Sequence, residues 1–192
     1  MRHSRIIASL TCLLFLCLAG TAFALADYDH VSPGRGTDPD IESAVKNCLA
    51  DKDPQQAKFV DVYSFKGHVF MVGEPALPFG VWAERAAHYV QDTHFVTAHW
   101  FPPKTSDPNA DPALKSAVVS RLNPVMRSPN RIEVEVWGGN VVVLGTVQTP
   151  EEVAQVDKLV KGTPGMKAYR SYVMAMEEAL KAIGNPSTLY QK

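Results

Sequence analysis

Over residues 131–147, RIEVEVWGGNVVVLGTV, apolar and polar positions alternate and then turn back on themselves. Ile132, Val134 and Val136 alternate with Glu133 and Glu135, the period of a strand with one buried face. Gly138-Gly139-Asn140 follows, a cluster suited to a tight turn because glycine accepts positive φ. Val141 to Leu144 then returns as a second strand ending at Gly145. Residues 59–73 repeat this hairpin, with strands at 59–65 and 69–72, a turn at Lys66-Gly67-His68 and a closing Gly73. Helical spacing precedes both hairpins. Ile41, Ala44, Val45, Cys48 and Leu49 form an apolar stripe behind Asp38-Pro39-Asp40, with an aspartate available as N-cap. Leu114, Ala117, Val118, Arg121 and Leu122 restate it behind Asp111-Pro112. A second helix follows each hairpin. The first covers residues 81–91 with Trp82, Ala86, Tyr89 and Val90 on one side. The other starts at Thr149-Pro150-Glu151-Glu152, with a Thr cap and an apolar side of Val153, Val156, Leu159 and Val160. Residues 95–101 and 166–173 read as closing strands.

Offsets support an internal duplication. Ser43-Ala44-Val45 and Ser116-Ala117-Val118 differ by 73, Gly67, Val69 and Gly73 differ from Gly139, Val141 and Gly145 by 72, and Thr93 and Ala98 from Thr163 and Ala168 by 70. The predicted class is α+β: two tandem small αββαβ domains, each a three-stranded mixed sheet with two helices packed on one face. Antiparallel hairpins and right-handed strand–helix–strand crossovers dictate that arrangement. The domains span residues 39–101 and 113–174, joined by the proline-rich linker 102–112, and residues 175–192 form a short helix and tail. Units of this size are marginal alone, so packing between the copies is expected.

Composition changes the picture at the N-terminus. Arg2, His3 and Arg5 precede an apolar run too short for a membrane span, and Ala22-Phe23-Ala24 gives a small-x-small site. Residues 1–24 therefore read as a cleaved export signal, with Ala24-Leu25-Ala26 a second cleavage site, and residues 25–38 as a flexible leader. Two of the 19 Lys and Arg leave with the signal, so 17 face 20 Asp and Glu. A mildly acidic protein offers no basic field for nucleic acid. Cys12 and Cys17 leave as well, so Cys48 alone remains and no internal disulfide forms. A buried structural thiol is the expectation for Cys48, with a redox or intermolecular role as the alternative. Leu16 before Cys17 argues against lipoprotein anchoring.

The hairpin residues resemble the BON domain (bacterial OsmY and nodulation), whose signature is G-x-V-x-L-x-G followed by a helix and a G-V-x-x-V ending. It stands here as Gly139-Asn140-Val141-Val142-Val143-Leu144-Gly145 and then Gly165-Met166-Lys167-Ala168-Tyr169. The first copy has Gly67-His68-Val69-Phe70-Met71-Val72-Gly73, but His94-Phe95-Val96 lacks the later glycine. The resemblance covers about residues 39–174. It implies a periplasmic or peripheral outer-membrane protein that binds phospholipid, especially anionic lipid, and supports envelope integrity under stress.

No motif for catalysis or phosphate binding occurs, and His88, His94 and His99 lack the partners of a metal site. No enzyme activity, cofactor or metal is expected. The six histidines read as surface or helix-end residues, Gly73 and Gly145 as structural, and Glu133 and Glu135 as a solvated strand face. For lipid, the candidates are Lys115, Val119, Arg121, Val125, Met126 and Arg127, cations for headgroups and apolar side chains for acyl chains. The competing expectation is a scaffold that docks onto an envelope protein through a sheet edge or helix face.

Overall fold

The computed structural model of the chain describes residues 37–184; the expected signal, leader residues 25–36 and tail 185–192 lie outside them. The first copy runs α1 (Asp38–Lys52), α2 (Pro54–Ala57), β1 (Val60–Phe65), β2 (His68–Gly73), α3 (Leu77–His88) and β3 (Phe95–Trp100). The second runs α4 (Asp111–Leu122), β4 (Arg131–Trp137), β5 (Asn140–Val147), α5 (Pro150–Lys161) and β6 (Ala168–Ala175), followed by α6 (Met176–Gly184). The sheets have orders β1-β2-β3 and β4-β5-β6, each with one antiparallel and one parallel pair. Each copy is the expected αββαβ unit.

Several boundaries differ from the sequence reading; Asp111 and Pro112, for example, belong to α4 rather than to the linker. Asp38 belongs to α1, not to the leader. Between the first helix and the first hairpin, where the sequence shows no helical stripe, residues 54–57 form α2, capped by the Asp53 side chain, which accepts the Gln55 and Gln56 amides at 2.9 and 3.1 Å. Helix α3 starts at Leu77 rather than at residue 81, because Pro78 sits in the first turn, where a missing N–H leaves nothing unpaired. Tyr89 then falls at the C-cap and is exposed, off the apolar side assigned to it.

The duplication is built from matched devices. Val45 and Leu49 of α1, and Val118 and Leu122 of α4, are all buried at the common offset of 73. Asp38 does not cap α1. Its Oδ1 accepts the Gly67 amide at 3.0 Å and the Ser64 hydroxyl at 2.9 Å, fastening the helix start to the hairpin turn. Asp111 repeats this, accepting the Gly138 amide at 2.7 Å and the Gly139 amide at 2.8 Å. A Cβ on Gly73 would lie 1.9 Å from the Phe59 carbonyl oxygen, and one on Gly145 would lie 2.0 Å from that of Arg131. Both glycines are structural, as expected. The closing strands correct one offset: His68 pairs with Phe95 and Asn140 with Ala168, so Phe95 corresponds to Ala168 at an offset of 73, not 70.

Alternation along the strands sends one face of each sheet to helices and the other to the second sheet. Val134, Val136, Val141, Val143 and Val173 pack with Val118, Leu122, Val156 and Val160 of α4 and α5. On the opposite faces Phe65, Phe70 and Val72 meet Val142 and Leu144, flanked by Tyr63, Phe101, Trp137, Tyr172 and Met174. The order of layers is helices, sheet, sheet, helices. This sheet-on-sheet seam explains why β2 and nearly all of β5 are buried on both faces.

Corresponding residues touch one another across the seam. The Tyr63 hydroxyl donates to Glu135, its counterpart at an offset of 72. His99 Nδ1 lies 3.0 Å from the hydroxyl of Tyr172, its counterpart at 73. A pseudo-two-fold axis therefore crosses the strands, as in an isologous dimer interface. The linker is fastened too. Buried Glu74 accepts the Thr105 amide at 2.6 Å, the Ser106 amide at 3.0 Å and the Ser106 hydroxyl at 2.5 Å.

Candidate functional site

Helix α4 and the segment after it carry the six residues expected to meet lipid, and the structure divides them. Val125 is 1% exposed and belongs to the core. Val119 and Met126 are half-buried against that same core. Their apolar surface stabilises the fold at about 25 cal/mol per Å2 and is not free for acyl chains. The cations differ. Lys115 Nζ donates to both Glu135 oxygens at 3.0 Å. Arg121 Nε donates to the Leu159 carbonyl at 2.9 Å, joining α4 to α5. Arg127 is exposed, beyond the end of α4. Among the described residues none of the large exposed apolar side chains lies on α4 or the segment after it.

Of the two β4 glutamates expected on a solvated face, Glu135 overturns that expectation. Glu133 is exposed, but Glu135 is buried in the seam between Tyr63 and Lys115. Alternation placed both on the face away from the helices; the second sheet covers that face. The histidine expectation also changes. His88 and His94 are exposed. His68 is buried, stacks on Phe70 with ring centroids 4.0 Å apart, and meets the Thr97 hydroxyl at 2.8 Å. Burial pushes its pKa down to about 4. His99 is half-buried at the seam, and burial followed by the Arg170 charge lowers its pKa. Among the described residues no group of histidine, cysteine, aspartate and glutamate could hold a metal ion. Cys48 is half-buried, and burial followed by the Asp51 charge raises its thiol, which leaves little thiolate.

Sequence reasoning missed the exposed apolar residues of the first copy. Leu77 is 71% and Val81 45% exposed, one turn apart on α3. Arg85 and His88 continue outward along the helix, and Tyr89 is 66% exposed at its end. Phe59 is also exposed, where the Ala76 amide ties α2 to the start of α3 through Gln56 Oε1 at 2.8 Å. The boundary error hid this stripe, because the helix was expected to begin at residue 81, after Leu77. A cleft of about 440 Å3 lies beside the second hairpin turn, between Leu114 and Ala117 of α4 and the segment Pro164–Lys167. Lys167 Nζ donates to the Gly138 carbonyl at 2.8 Å along its wall. Among the described residues no helix is long and apolar enough to cross a membrane.

No curated protein matches the chain. Solved structures of CdsD, a structural protein of the type III secretion system of Chlamydia trachomatis, are similar at 13% identity and a TM-score of 0.30. One covers 76% of this chain and 67% of its own, and a structure of the CdsD C-terminal domain covers 72% and 67%. Residues 110–168 match the family model described as the BON domain. That match runs from the start of α4 to the first residue of β6. The match therefore falls on the second copy.

Proposed function

We propose that the chain is a non-enzymatic protein of the cell envelope, built from two tandem BON domains, that binds anionic phospholipid surfaces and supports envelope integrity. The match of residues 110–168 to the BON domain carries this reading. The first copy shares the fold, the aspartate on the hairpin turn and the strand-end glycine, which supports a second BON domain there. Export by the N-terminal signal and a peripheral position in the periplasm belong to the same proposal.

The exposed surface suits reversible attachment. Arg127 offers an exposed cation worth roughly 1 kcal/mol near an anionic surface, and Lys115 and Arg121, though bonded to Glu135 and to the Leu159 carbonyl, add exposed positive charge on α4. Leu77, Val81 and Tyr89 offer apolar contact on the first copy. The experiment is cosedimentation of the chain lacking residues 1–24 with phosphatidylglycerol vesicles. Binding is expected at low salt, weakening as salt rises, and weakening again in a Lys115/Arg121/Arg127→Gln triple variant. A folded protein that stays in the supernatant at low salt overturns the proposal.

The outer edges of β3 and β6 support a second reading, a scaffold that docks onto an envelope protein. Among the described residues each pairs on one side alone, leaving backbone groups for an added strand. Crosslinking that returns one protein partner, with indifference to vesicles, favours it.

A further inference from the structure

Strands β1, β3, β4 and β6 stand at the edges of the two sheets, and they differ in charge. Strand β1 carries Asp61, and β4 carries Glu133 and Glu135. Strand β3 has no Asp, Glu, Lys or Arg. Strand β6, at 8 residues, is the longest of the four; it has no acid and no proline, and it holds the exposed Arg170. It pairs in parallel with β5 from Ala168 to Ala175. Among the described residues its other side has no strand partner, so a row of backbone N–H and C=O groups is free to pair. Helix α6 begins only at Met176, beyond the last residue of the strand.

Positive charge flanks this edge on both faces of the sheet. On the seam face the Arg170 guanidinium lies 5.6 Å from the centre of the Tyr172 ring. Among the described residues no carboxylate pairs with Arg170. On the helix face Lys161 Nζ lies 6.0 Å from the centre of the Tyr169 ring. Lys167, just before the strand, is exposed and donates to the uncharged Gly138 carbonyl. The nearby acids are already engaged. Asp157 accepts the Tyr169 hydroxyl at 2.7 Å and meets Lys161 at 3.5 Å. Asp107 accepts the Asn109 and Ala110 amides at 2.9 and 3.1 Å.

We infer that the β6 edge, over Ala168–Val173, takes an extended acidic segment of a protein as a fourth strand of the second sheet. Backbone pairing supplies the attachment, and side chains alternating along the segment place carboxylates toward Arg170 on one face and Lys161 and Lys167 on the other. Two β6 edges from separate chains would bring like charges together, so the cations reject a second copy and favour an acid. The inference rests on the docking reading above, not on lipid binding, and narrows it to one strand and one kind of partner.

The test is an NMR titration of the amides of the chain lacking residues 1–24 with a capped peptide of alternating valine and glutamate. Shifts should centre on residues 168–173 and weaken as salt rises. Alternate N-methylation of the peptide, which blocks the ladder bonds, should abolish them. Arg170→Glu should weaken the acidic peptide about tenfold and admit a valine–lysine peptide that the parent refuses. Shifts centred on β3, equal binding of the valine–lysine peptide by the parent, or equal binding of the N-methylated peptide overturns the inference, as does the absence of shifts at low salt. The crosslinking described above decides the docking reading separately.

Discussion

Helices α3 and α5 hold equivalent places in the two copies and differ in how they begin and what they show outward. Helix α5 starts with a capping box: the Thr149 hydroxyl accepts the Glu152 amide at 3.3 Å, and the Glu152 carboxylate accepts the Thr149 amide at 3.3 Å. Its exposed positions include Glu151, Gln155 and Lys158. Helix α3 has Ala76 at its N-cap and no side-chain cap, and it exposes Leu77 and Val81. The inner faces of both helices are nonetheless small and apolar, with Ala83, Ala86 and Ala87 buried on α3 and Val156 and Val160 on α5. The fold constrains only the face that meets the sheet. The outer face is free to diverge, and that is where the copies differ.

The comparison breaks most sharply if the shared devices are removed. Gly73→Ala and Gly145→Ala should each cost about 3 kcal/mol in urea denaturation, because both would drive a Cβ into a carbonyl. Gly145 adds a positive φ of 138°, so its variant should be the worse of the two. Equal tolerance of alanine at both sites would show that the strands shift freely.

Next in size is the aspartate on each turn. Asp111→Ala leaves two buried amides unpaired and should cost about 2 kcal/mol. Asp38 adds a measurable pH dependence. Burial acts to raise its carboxyl, but the Lys66 and Gly67 amides, Ser64 and Arg131 outweigh burial and hold it below the usual 3.8. Its contribution is present above 3.8 and is lost as pH falls through the lowered value. Asp38→Asn should accordingly flatten the acid limb of the stability profile below about pH 4.

The smallest effects sharpen the contrast between α3 and α5. Thr149→Ala should cost about 1 kcal/mol, and Ala76→Ser should gain about 0.5 kcal/mol by giving α3 the hydroxyl cap it lacks. Thermal unfolding of the two variants, read against the parent, checks both signs.

Much of this was legible in the chain. Alternation in β4 and the Gly138-Gly139 turn located the hairpin, and the i, i+3, i+4 stripes located α1 and α4. The Thr-Pro-Glu-Glu start fixed α5 to the residue. Three things were not legible. A strand's polar face carries no mark of whether water or a second sheet covers it, so Glu135 read as solvated. Side chains after a helix end follow no period, so Val125 read as available when the chain folds it under. The Leu77 stripe was concealed by Pro78, which looks like a loop residue until its place in a first helical turn is known. The candidate surface suffered more than the fold, because exposure depends on what packs from elsewhere in the chain.

The contacts on the pseudo-two-fold axis have an evolutionary consequence. In a symmetric pair of separate single copies, a residue on the axis would face itself, so glutamate would oppose glutamate and histidine would oppose histidine. Joining the copies through residues 101–110 removes that restriction. Tyr63 can then differ from Glu135, and His99 from Tyr172, and each pair becomes a donor matched to an acceptor. Covalent fusion thus lets two identical halves become complementary ones.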